Sequence, residues 1–247
     1  MKFKPKYTKI SNKKSDIQFI FPKDFLPIYE KSYSIKLYYE GIKRSNNLHT
    51  DNFPKRMRFF SLFQNIEYIL NKKKVYDFVE CGCWKGHSSF IISKLIKKKN
   101  KKINFHIFDS FDGLSNSTIE DEIYHRKKTK DKARIQNYFK SDQYFLEKKV
   151  LKEFNFIKTY KGWIPERFKD LRVNKFSLVH LDVDLYQPTM ESLEFFYPKL
   201  AKGGIIICDD YNVTGFPGAT RAWNAYFNNR EYNFFHQNPL GGCYLIK

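Results

Sequence analysis

The chain has 247 residues, 42% of them hydrophobic, and its 45 lysines and arginines against 26 acidic residues give a net charge of +19. This length fits one large domain, or one domain with an extension, whose core needs no disulfide or metal to fold. The sequence contains no run of 18 apolar residues, so we expect no membrane-spanning helix.

The positive charge raises the question of nucleic-acid binding, and the composition argues against it. Of the 45 basic residues, 36 are lysine and only nine are arginine, whereas base-reading surfaces depend on the bidentate hydrogen bonds of arginine. The lysines are also spread along the chain. A solvated, lysine-rich surface is therefore favoured, and a basic RNA-binding module stays as the non-catalytic alternative.

The N-terminal stretch and the cysteines indicate a cytoplasmic protein. "MKFKPKYTKISNKKSD" is charged but leads into no apolar segment and no small-residue cleavage site, unlike a secretory signal. All four cysteines lie in or beside apolar runs, which suits a reducing compartment. They are Cys81, Cys83, Cys208 and Cys243.

The first 55 residues are polar, irregular and rich in tyrosine and lysine, and they predict an N-terminal extension that holds short helices. From Arg56 the pattern becomes helical, because apolar side chains recur every three or four positions from Phe59 to Ile69. This places the main domain at residues 56–247.

Beyond residue 70, predicted strands alternate with predicted helices. Strands are predicted at 75–79, 103–108, 154–159, 176–181, 204–208, 232–237 and 243–246. Helices are predicted at 88–98, 164–171, 189–200 and 217–227, and a charged connection at 114–150 is predicted to become helical after residue 131. Such alternation with nearly continuous apolar strands is typical of an α/β fold with a doubly wound, mostly parallel sheet.

Acidic residues follow the predicted strands at their carboxyl ends, where ligands bind in such sheets. Glu80 follows the first strand, Asp109 the second, Asp182 the fourth, and Asp209 with Asp210 the fifth. Acids also cap helix N-termini, but no helix is predicted to begin directly after Asp210. We therefore interpret these residues as parts of a ligand site.

The loop after the first strand indicates S-adenosylmethionine. Glu80 stands before Gly82 and Gly86, and the middle glycine of the dinucleotide-binding pattern is missing. An acid at this point favours a ligand with a cationic centre over a pyrophosphate. Asp109, one βαβ unit later, suits the two hydroxyls of a ribose. A nucleoside that carries a sulfonium and an amino acid fits both features.

Three aspartates predict a magnesium site. Asp182 ends one strand and Asp209 and Asp210 end the next, and neighbouring parallel strands lie about 4.8 Å apart. An all-oxygen set suits Mg²⁺ or a similar hard ion, which can hold an acceptor hydroxyl and lower its pKa. Asp184 is either a fourth ligand or, as we favour, a cap of the helix predicted at 189–200.

Methyl transfer to a hydroxyl also needs a base. Asp182 is the nearest candidate, and His180 is the second, although a lone histidine in a strand is more often part of the core. The alternative reaction is glycosyl transfer, in which Asp182-Val-Asp184 would hold a metal and a sugar nucleotide. That interpretation leaves Glu80 and Asp109 without a role.

With these residues the sequence resembles the macrocin-type (TylF-like) O-methyltransferases, which methylate sugar hydroxyls using S-adenosylmethionine and Mg²⁺. The resemblance covers residues 56–247 and implies a Rossmann-like class I methyltransferase fold. The stretches that carry it are "DFVECGCWKGHSS", "HIFDSFDGL", "KGWIPERF", "LDVDLYQPTMESLEFFYPKLAKGGIIICDDY" and "FPGATRAWNAYF".

The resemblance also implies site residues. Metal ligation is implied for the same three aspartates, with Asp182 as the base. Gly162 and Trp163 are implied to line the cofactor or substrate pocket, with a core position as the alternative for Trp163. Direct cofactor contacts are implied for Glu80, Gly82, Asp109 and Ser110.

The acceptor is left open between a sugar hydroxyl of a glycan, of a nucleotide sugar and of a glycosylated natural product. In this family N-terminal segments help to form a lid over the substrate, yet residues 1–55 and 114–150 match no pattern that we recognise. A homo-oligomer is compatible with the sequence, and neither a nucleic acid nor a membrane is expected as a partner.

Overall fold

The computed structural model describes residues 33–122 and 136–247, and the backbone alone of two further strands, β1 (Tyr7–Ser11) and β2 (Gln18–Pro22). These strands form an antiparallel hairpin, with Tyr7 opposite Pro22. The prediction of an irregular segment with short helices was wrong for these residues. The β-branched and aromatic residues of "YTKIS" and "QFIFP" favour extended backbone.

The longer elements of the described chain are two helices before residue 77 and, from there on, strands with helices between several of them. The helices are α1 (Tyr33–Arg44), α2 (Phe53–Leu70), α3 (His87–Lys98), α4 (Tyr186–Phe196) and α5 (Pro217–Phe227). The strands are β3 (Asp77–Cys81), β4 (Phe105–Asp109), β5 (Ile157–Lys161), β6 (Phe176–Leu181), β7 (Leu200–Cys208), β8 (Phe234–Gln237) and β9 (Cys243–Ile246).

Short helical turns lie between these elements, at Leu48–Thr50, Ile119–Asp121, Gln143–Phe145, Leu146–Val150 and Glu166–Asp170. The last of them confirms the short helix predicted at 164–171. The start of the helix predicted after residue 131 lies outside the described residues. Within the described part of this connection, residues 136–138 and 143–150 are helical.

The sheet has the strand order β5-β4-β3-β6-β7-β9-β8, in which the first five strands are parallel and β9 is antiparallel to both of its neighbours, β7 and β8. This confirms the predicted doubly wound, mostly parallel architecture. The chain runs from β3 outward to β5 and then returns to β6 on the other side of β3. A crevice therefore opens at the carboxyl ends of β3 and β6, the switch point at which ligands bind in open α/β sheets.

Helices cover both faces of the sheet. Ile42 of α1, Ile66 of α2 and Phe90 of α3 belong to one apolar cluster, whereas Phe196 of α4 and Trp223 of α5 belong to the other. Helix α1 lies in the segment that the sequence assigned to an extension, yet its apolar face is part of the main core. In the described residues, no helix combines the length and the apolar character that crossing a membrane would need.

Helix α2 begins three residues before the predicted start. The side chain of Asn52 caps it by accepting a hydrogen bond from the backbone N–H of Lys55 at 2.9 Å, and Pro54 occupies the first turn, where a missing N–H is tolerated. This cap fixes the direction in which the first turn of α2 reaches the carboxyl end of the sheet.

Candidate functional site

The ends of β3 and β6 meet at Gly82. This residue has φ +79°, and a Cβ atom there would lie 1.9 Å from the carbonyl oxygen of Asp182. The backbone N–H of Asp182 in turn donates to the carbonyl of Cys81 at 2.9 Å. Only glycine allows this approach, because other residues are strained at positive φ and carry a Cβ. The glycine loop and the aspartate strand are thus directly joined.

A cleft of about 370 Å³ opens beside this junction, a size suited to a small-molecule ligand. The structure brings five of the seven predicted cofactor residues together around it. They are Gly82, Asp109, Ser110, Gly162 and Trp163. Asp182 also lines the cleft, and Trp163 is 42% exposed, which contradicts the alternative of a core position for this residue.

Asp109 holds the loops around the cleft. Its carboxylate accepts hydrogen bonds from the backbone N–H groups of Cys83 at 2.7 Å, Trp84 at 2.9 Å and Phe111 at 2.7 Å. Burial raises the pKa of Asp109 and these hydrogen bonds lower it, with a net rise. A carboxylate oxygen accepts more than one hydrogen bond, so this group can orient the loop and still meet a ligand hydroxyl.

Glu80 lies beneath the cleft and does not line it. Its side chain is fully buried; Ser89 donates a short hydrogen bond to one oxygen, and His180 Nδ1 lies 2.9 Å from the other. Burial alone would lower the pKa of His180, but the hydrogen bond and charge of Glu80 outweigh it and raise the pKa to about 9. This placement differs from the predicted cofactor contact of Glu80, and His180 serves as a buried ion-pair partner.

Gly86 also lies outside the cleft lining. It precedes the first residue of α3 with φ +82°, and a Cβ there would lie 2.2 Å from Cδ1 of Leu146. Its role in the structure is to start α3 and to let the helical turn at Leu146–Val150 pack closely.

Asp182, Asp209 and Asp210 form an aspartate cluster, in which one carboxylate oxygen of each lies within 4.8 Å of the others. Burial, followed by the charges of the other two aspartates, raises the pKa of Asp182 well above its usual value. Burial and Asp209 raise the pKa of Asp210 to about 6. These carboxylates ionise together only with a compensating cation nearby.

The cluster fits a hard divalent cation in the chemistry of its donors. Mg²⁺ takes oxygen ligands at about 2.1 Å, so ligands on opposite sides lie about 4.2 Å apart. One carboxylate oxygen of each aspartate lies within 4.8 Å of the other two, so the three oxygens are close enough to ligate a single ion. The three residues predicted as ligands therefore lie together, and Asp182 is the one of them that lines the cleft.

Asp184 does not cap the following helix, so the interpretation that we favoured was wrong. Helix α4 begins at Tyr186, whose backbone N–H donates to Asp121 at 2.8 Å. Asp184 has φ +61°, and its backbone N–H donates to Asp210 at 3.0 Å. Asp121 caps the helix from a position 65 residues earlier in the sequence, so no local pattern reveals this cap.

Two cations of α2 face the aspartate cluster, and the sequence did not identify them. Arg58 Nε lies 2.9 Å from Asp209 Oδ2, and the ammonium of Lys55 lies within the electrostatic field of Asp182 and Asp209. The residues are one helical turn apart in sequence, but their partners are more than 120 residues away. The i,i+3 spacing of two basic residues on a helix was the one local signal.

Two aromatic residues of the cleft wall were also missed. Trp84 follows the first glycine of the loop, and Phe139 comes from the charged connection; their ring centroids are 5.4 Å apart. The positive φ of Trp84, 47°, turns its backbone so that the ring reaches this wall. An indole between two glycines in "GCWKG" was the available signal.

The sequence matches the family described as Macrocin-O-methyltransferase (TylF) over residues 41–235. Demethyldecarbamoylnovobiocin O-methyltransferase of Streptomyces niveus is 23% identical over 190 residues, which are 74% of this chain and 70% of that protein. The 8-demethyl-8-(2,3-dimethoxy-alpha-L-rhamnosyl)-tetracenomycin-C 4'-O-methyltransferase of Streptomyces olivaceus is 23% identical over 162 residues, 60% of this chain and 58% of that protein.

Two solved structures share the fold. The O-methyltransferase NovP superposes with a TM-score of 0.65 at 19% identity, over 78% of this chain and 80% of that one. An O-methyltransferase from Bacillus cereus in complex with SAH superposes with a TM-score of 0.53 at 12% identity, over 90% and 97% of the two chains. At these identities the similarity establishes the fold.

Proposed function

Because the chain belongs to the macrocin O-methyltransferase (TylF) family, we propose that it transfers the methyl group of S-adenosylmethionine to a sugar hydroxyl in an Mg²⁺-dependent reaction. The observation that carries the proposal is the position of Asp182, which lines the cleft and also belongs to the aspartate cluster. A methyl donor in the cleft would thus lie next to the residue that takes the acceptor proton.

The cofactor is proposed from the lining of the cleft. Asp109 and Ser110 lie at the end of β4, where an acid suits the ribose hydroxyls. Gly82 lines the cleft at the end of β3, where the amino-acid part would lie, and Gly162 and Trp163 lie at the end of β5, where the nucleobase would lie. Glu80 supports the loop from below through Ser89 and His180.

The acceptor class is proposed from the relatives. The Streptomyces olivaceus protein is named for methylation at position 4' of a rhamnosyl group, and the family is named for macrocin. We propose a sugar hydroxyl of a glycosylated natural product, a nucleotide sugar or a glycan. Family membership favours methyl transfer over the glycosyl transfer that Asp182-Val-Asp184 alone would suggest.

The reaction is a single displacement. A lone pair of the acceptor oxygen forms a bond to the methyl carbon, the bond from that carbon to sulfur breaks, and its electron pair stays on sulfur to give S-adenosylhomocysteine. Asp182 accepts the proton of the acceptor hydroxyl.

A divalent ion held by Asp182, Asp209 and Asp210 would orient the acceptor and lower the pKa of its hydroxyl. The chain fixes the acids for this purpose. Arg58 holds one oxygen of Asp209, and the backbone N–H of Asp184 holds one oxygen of Asp210. Positioning of the two reactants supplies up to about 7–11 kcal/mol of barrier lowering in such reactions.

Calorimetric titration with S-adenosylhomocysteine tests the cofactor, with NAD and UDP-glucose as controls. We expect micromolar binding of S-adenosylhomocysteine alone. Binding of UDP-glucose in its place would make Asp182-Val-Asp184 the centre of a glycosyltransferase site.

Methyl transfer is then assayed with methyl-labelled S-adenosylmethionine against methyl α-L-rhamnoside, a nucleotide-linked rhamnose and a rhamnosylated polyketide. We expect turnover of at least one acceptor, loss of turnover with EDTA and recovery with Mg²⁺. Turnover that resists EDTA would refute the metal, and inertness toward every sugar would refute the acceptor class.

A further inference from the structure

We propose that Lys55 contacts the acceptor oxygen and stabilises the negative charge that develops on it when its proton leaves for Asp182. This assignment rests on the proposed function, since it requires a hydroxyl acceptor beside the aspartate cluster. It adds a group from the first turn of helix α2 to the residues at the strand ends.

The ammonium of Lys55 is held in place by the turn before its helix. Lys55 Nζ donates to Thr50 Oγ1 at 2.6 Å, and the same hydroxyl donates to the carbonyl of Asn47 at 2.8 Å. The cap formed by Asn52 fixes the backbone of Lys55. A lysine that is held at both its backbone and its ammonium has lost most of its rotamer freedom. Such a side chain is preorganised, so it loses little further entropy when it contacts a ligand.

The ammonium faces the carboxylates but does not bind them. Asp182 and Asp209 both act electrostatically on Lys55, yet among residues 33–122 and 136–247 no carboxylate lies within 4 Å of its nitrogen. Thr50 accepts from one of its three N–H groups, and the Phe59 ring centroid lies 5.6 Å from its nitrogen. Lys55 is one helical turn before Arg58, which contacts Asp209, so it lies on the face of α2 that meets the cluster. The acceptor oxygen, whose charge changes during the reaction, would lie between this ammonium and the two carboxylates.

The charge of Lys55 is available at neutral pH. Burial lowers its pKa to about 8, while the charges of Asp182 and Asp209 oppose that decrease. The group is thus mainly protonated at pH 7 and acts as a cation and hydrogen-bond donor.

Arg58 is not equivalent to Lys55. Its Nε is engaged by Asp209, and its Cδ would lie 3.2 Å from a Cβ atom at Gly242, so the guanidinium is packed in a fixed place. Arg58 therefore orients a carboxylate, whereas Lys55 has donors left for a ligand.

Lys55 acts on the negative charge that the acceptor oxygen carries only during the reaction. The acceptor oxygen is neutral as a hydroxyl, becomes negative as Asp182 removes its proton, and is neutral again as an ether. An ammonium that contacts this oxygen therefore binds most strongly near the transition state, which raises turnover more than it raises affinity for the resting substrate.

The test uses fluoride, an anion close in size to a deprotonated oxygen, with protein loaded with Mn²⁺ and S-adenosylhomocysteine. Fluoride that displaces water from Mn²⁺ is detected by the relaxation of water protons. We expect wild-type protein to bind fluoride and Lys55→Met and Lys55→Gln to bind it at least about 10-fold more weakly, with the Mn²⁺ affinity not decreased. Lys55→Arg should recover part of the fluoride binding.

The matched control is Lys43→Met, which removes one positive charge from an exposed position at the end of α1 and should leave fluoride binding unchanged. Thr50→Val keeps the charge of Lys55 but removes its anchor, and it should weaken fluoride binding to an intermediate degree. Thermal unfolding of each variant shows whether the fold is kept.

Equal fluoride affinities of wild type and both Lys55 variants, or no fluoride binding by Mn²⁺-loaded wild type, would overturn the role of Lys55 and leave the proposed function standing. If Mn²⁺ itself did not bind the wild type, the metal of the proposed function would be lost and the role of Lys55 with it. With a sugar acceptor, the Lys55 variants should lose kcat with little change in KM.

Discussion

At the scale of single residues, the site depends on Gly82. Gly82→Ala would place a Cβ atom 1.9 Å from the carbonyl oxygen of Asp182 at φ +79°. We expect a loss of at least about 2 kcal/mol in the free energy of unfolding, measured by urea denaturation, together with weaker binding of S-adenosylhomocysteine.

Gly215→Ala is the matched control, because a Cβ there meets nothing within 4 Å and the residue has no positive φ. It should unfold like the wild type. If Gly82→Ala were as stable as Gly215→Ala, the close contact between Gly82 and the Asp182 carbonyl would not be needed for stability, and this prediction would be wrong.

The proposed contact between Asp109 and the ribose is tested by a binding measurement. Asp109→Asn keeps one oxygen acceptor for the loop and removes the charge that suits the ribose hydroxyls, and hydrogen bonds to a charged group contribute about 1.5–3 kcal/mol. We expect S-adenosylhomocysteine to bind about 10- to 100-fold more weakly by calorimetry. Asp112→Asn, at an exposed neighbouring acid, should bind normally, and an unchanged affinity of Asp109→Asn would exclude a ribose contact.

The strand-end acids show what single residues reveal from sequence. Asp109, Asp182, Asp209 and Asp210 were identified because the carboxyl ends of parallel strands share one edge of the sheet. Glu80 follows the same rule in sequence, but its burial is decided by Ser89 and His180, which reach it from α3 and β6. Such contacts are set by packing, and no local pattern contains them.

At the scale of elements, the ion pair of Glu80 and His180 links β3 to β6. The two residues are direct neighbours across the strands, and both side chains are almost completely buried. Glu80→Gln leaves a buried imidazole without its counter-charge, and we expect a loss of about 3 kcal/mol in unfolding free energy. Urea denaturation measures it.

The double variant Glu80→Gln with His180→Gln removes both charges and should recover part of that loss, since two neutral amides can bond each other. If Glu80→Gln were as stable as the wild type, the ion pair of Glu80 and His180 would contribute nothing to the unfolding free energy.

Helices and strands were predicted more reliably than their ends. Strand β6 and helix α5 match the predicted bounds at every residue, because apolar runs flanked by polar residues mark them. Helix α4 begins three residues before its prediction, since Asp121 caps it from a distant turn. The contribution of α2 to the site was not predicted, because its periodicity reports which face is buried and says nothing of what its first turn meets.

At the scale of the whole molecule, the question is where the domain begins. The boundary predicted at residues 55 and 56 remains a prediction, but α1 lies before it and contributes buried Ile35, Leu37 and Ile42 to the main core. Deletion of residues 1–55 should therefore lower the melting temperature markedly more than deletion of residues 1–32, as differential scanning calorimetry would show.

The difference in melting temperature between the two deletion variants shows whether α1 belongs to the domain. A difference of more than about 10 °C would place α1 within the domain, since each buried aliphatic side chain contributes about 1.5–3 kcal/mol and 1 kcal/mol shifts the melting temperature of a protein this size by about 2–4 °C. Equal melting temperatures would support the boundary at residue 55.

Asp182 belongs to the cleft and to the aspartate cluster at once, and this has a consequence for the order of events in the proposed reaction. Ligands that share one residue are thermodynamically linked, so each changes the affinity of the other by the same factor. A sulfonium and a divalent ion repel each other across this carboxylate, whereas neutral S-adenosylhomocysteine does not. A bound metal should therefore favour S-adenosylhomocysteine over S-adenosylmethionine, which would help to drive the transfer forward and would slow the release of the product.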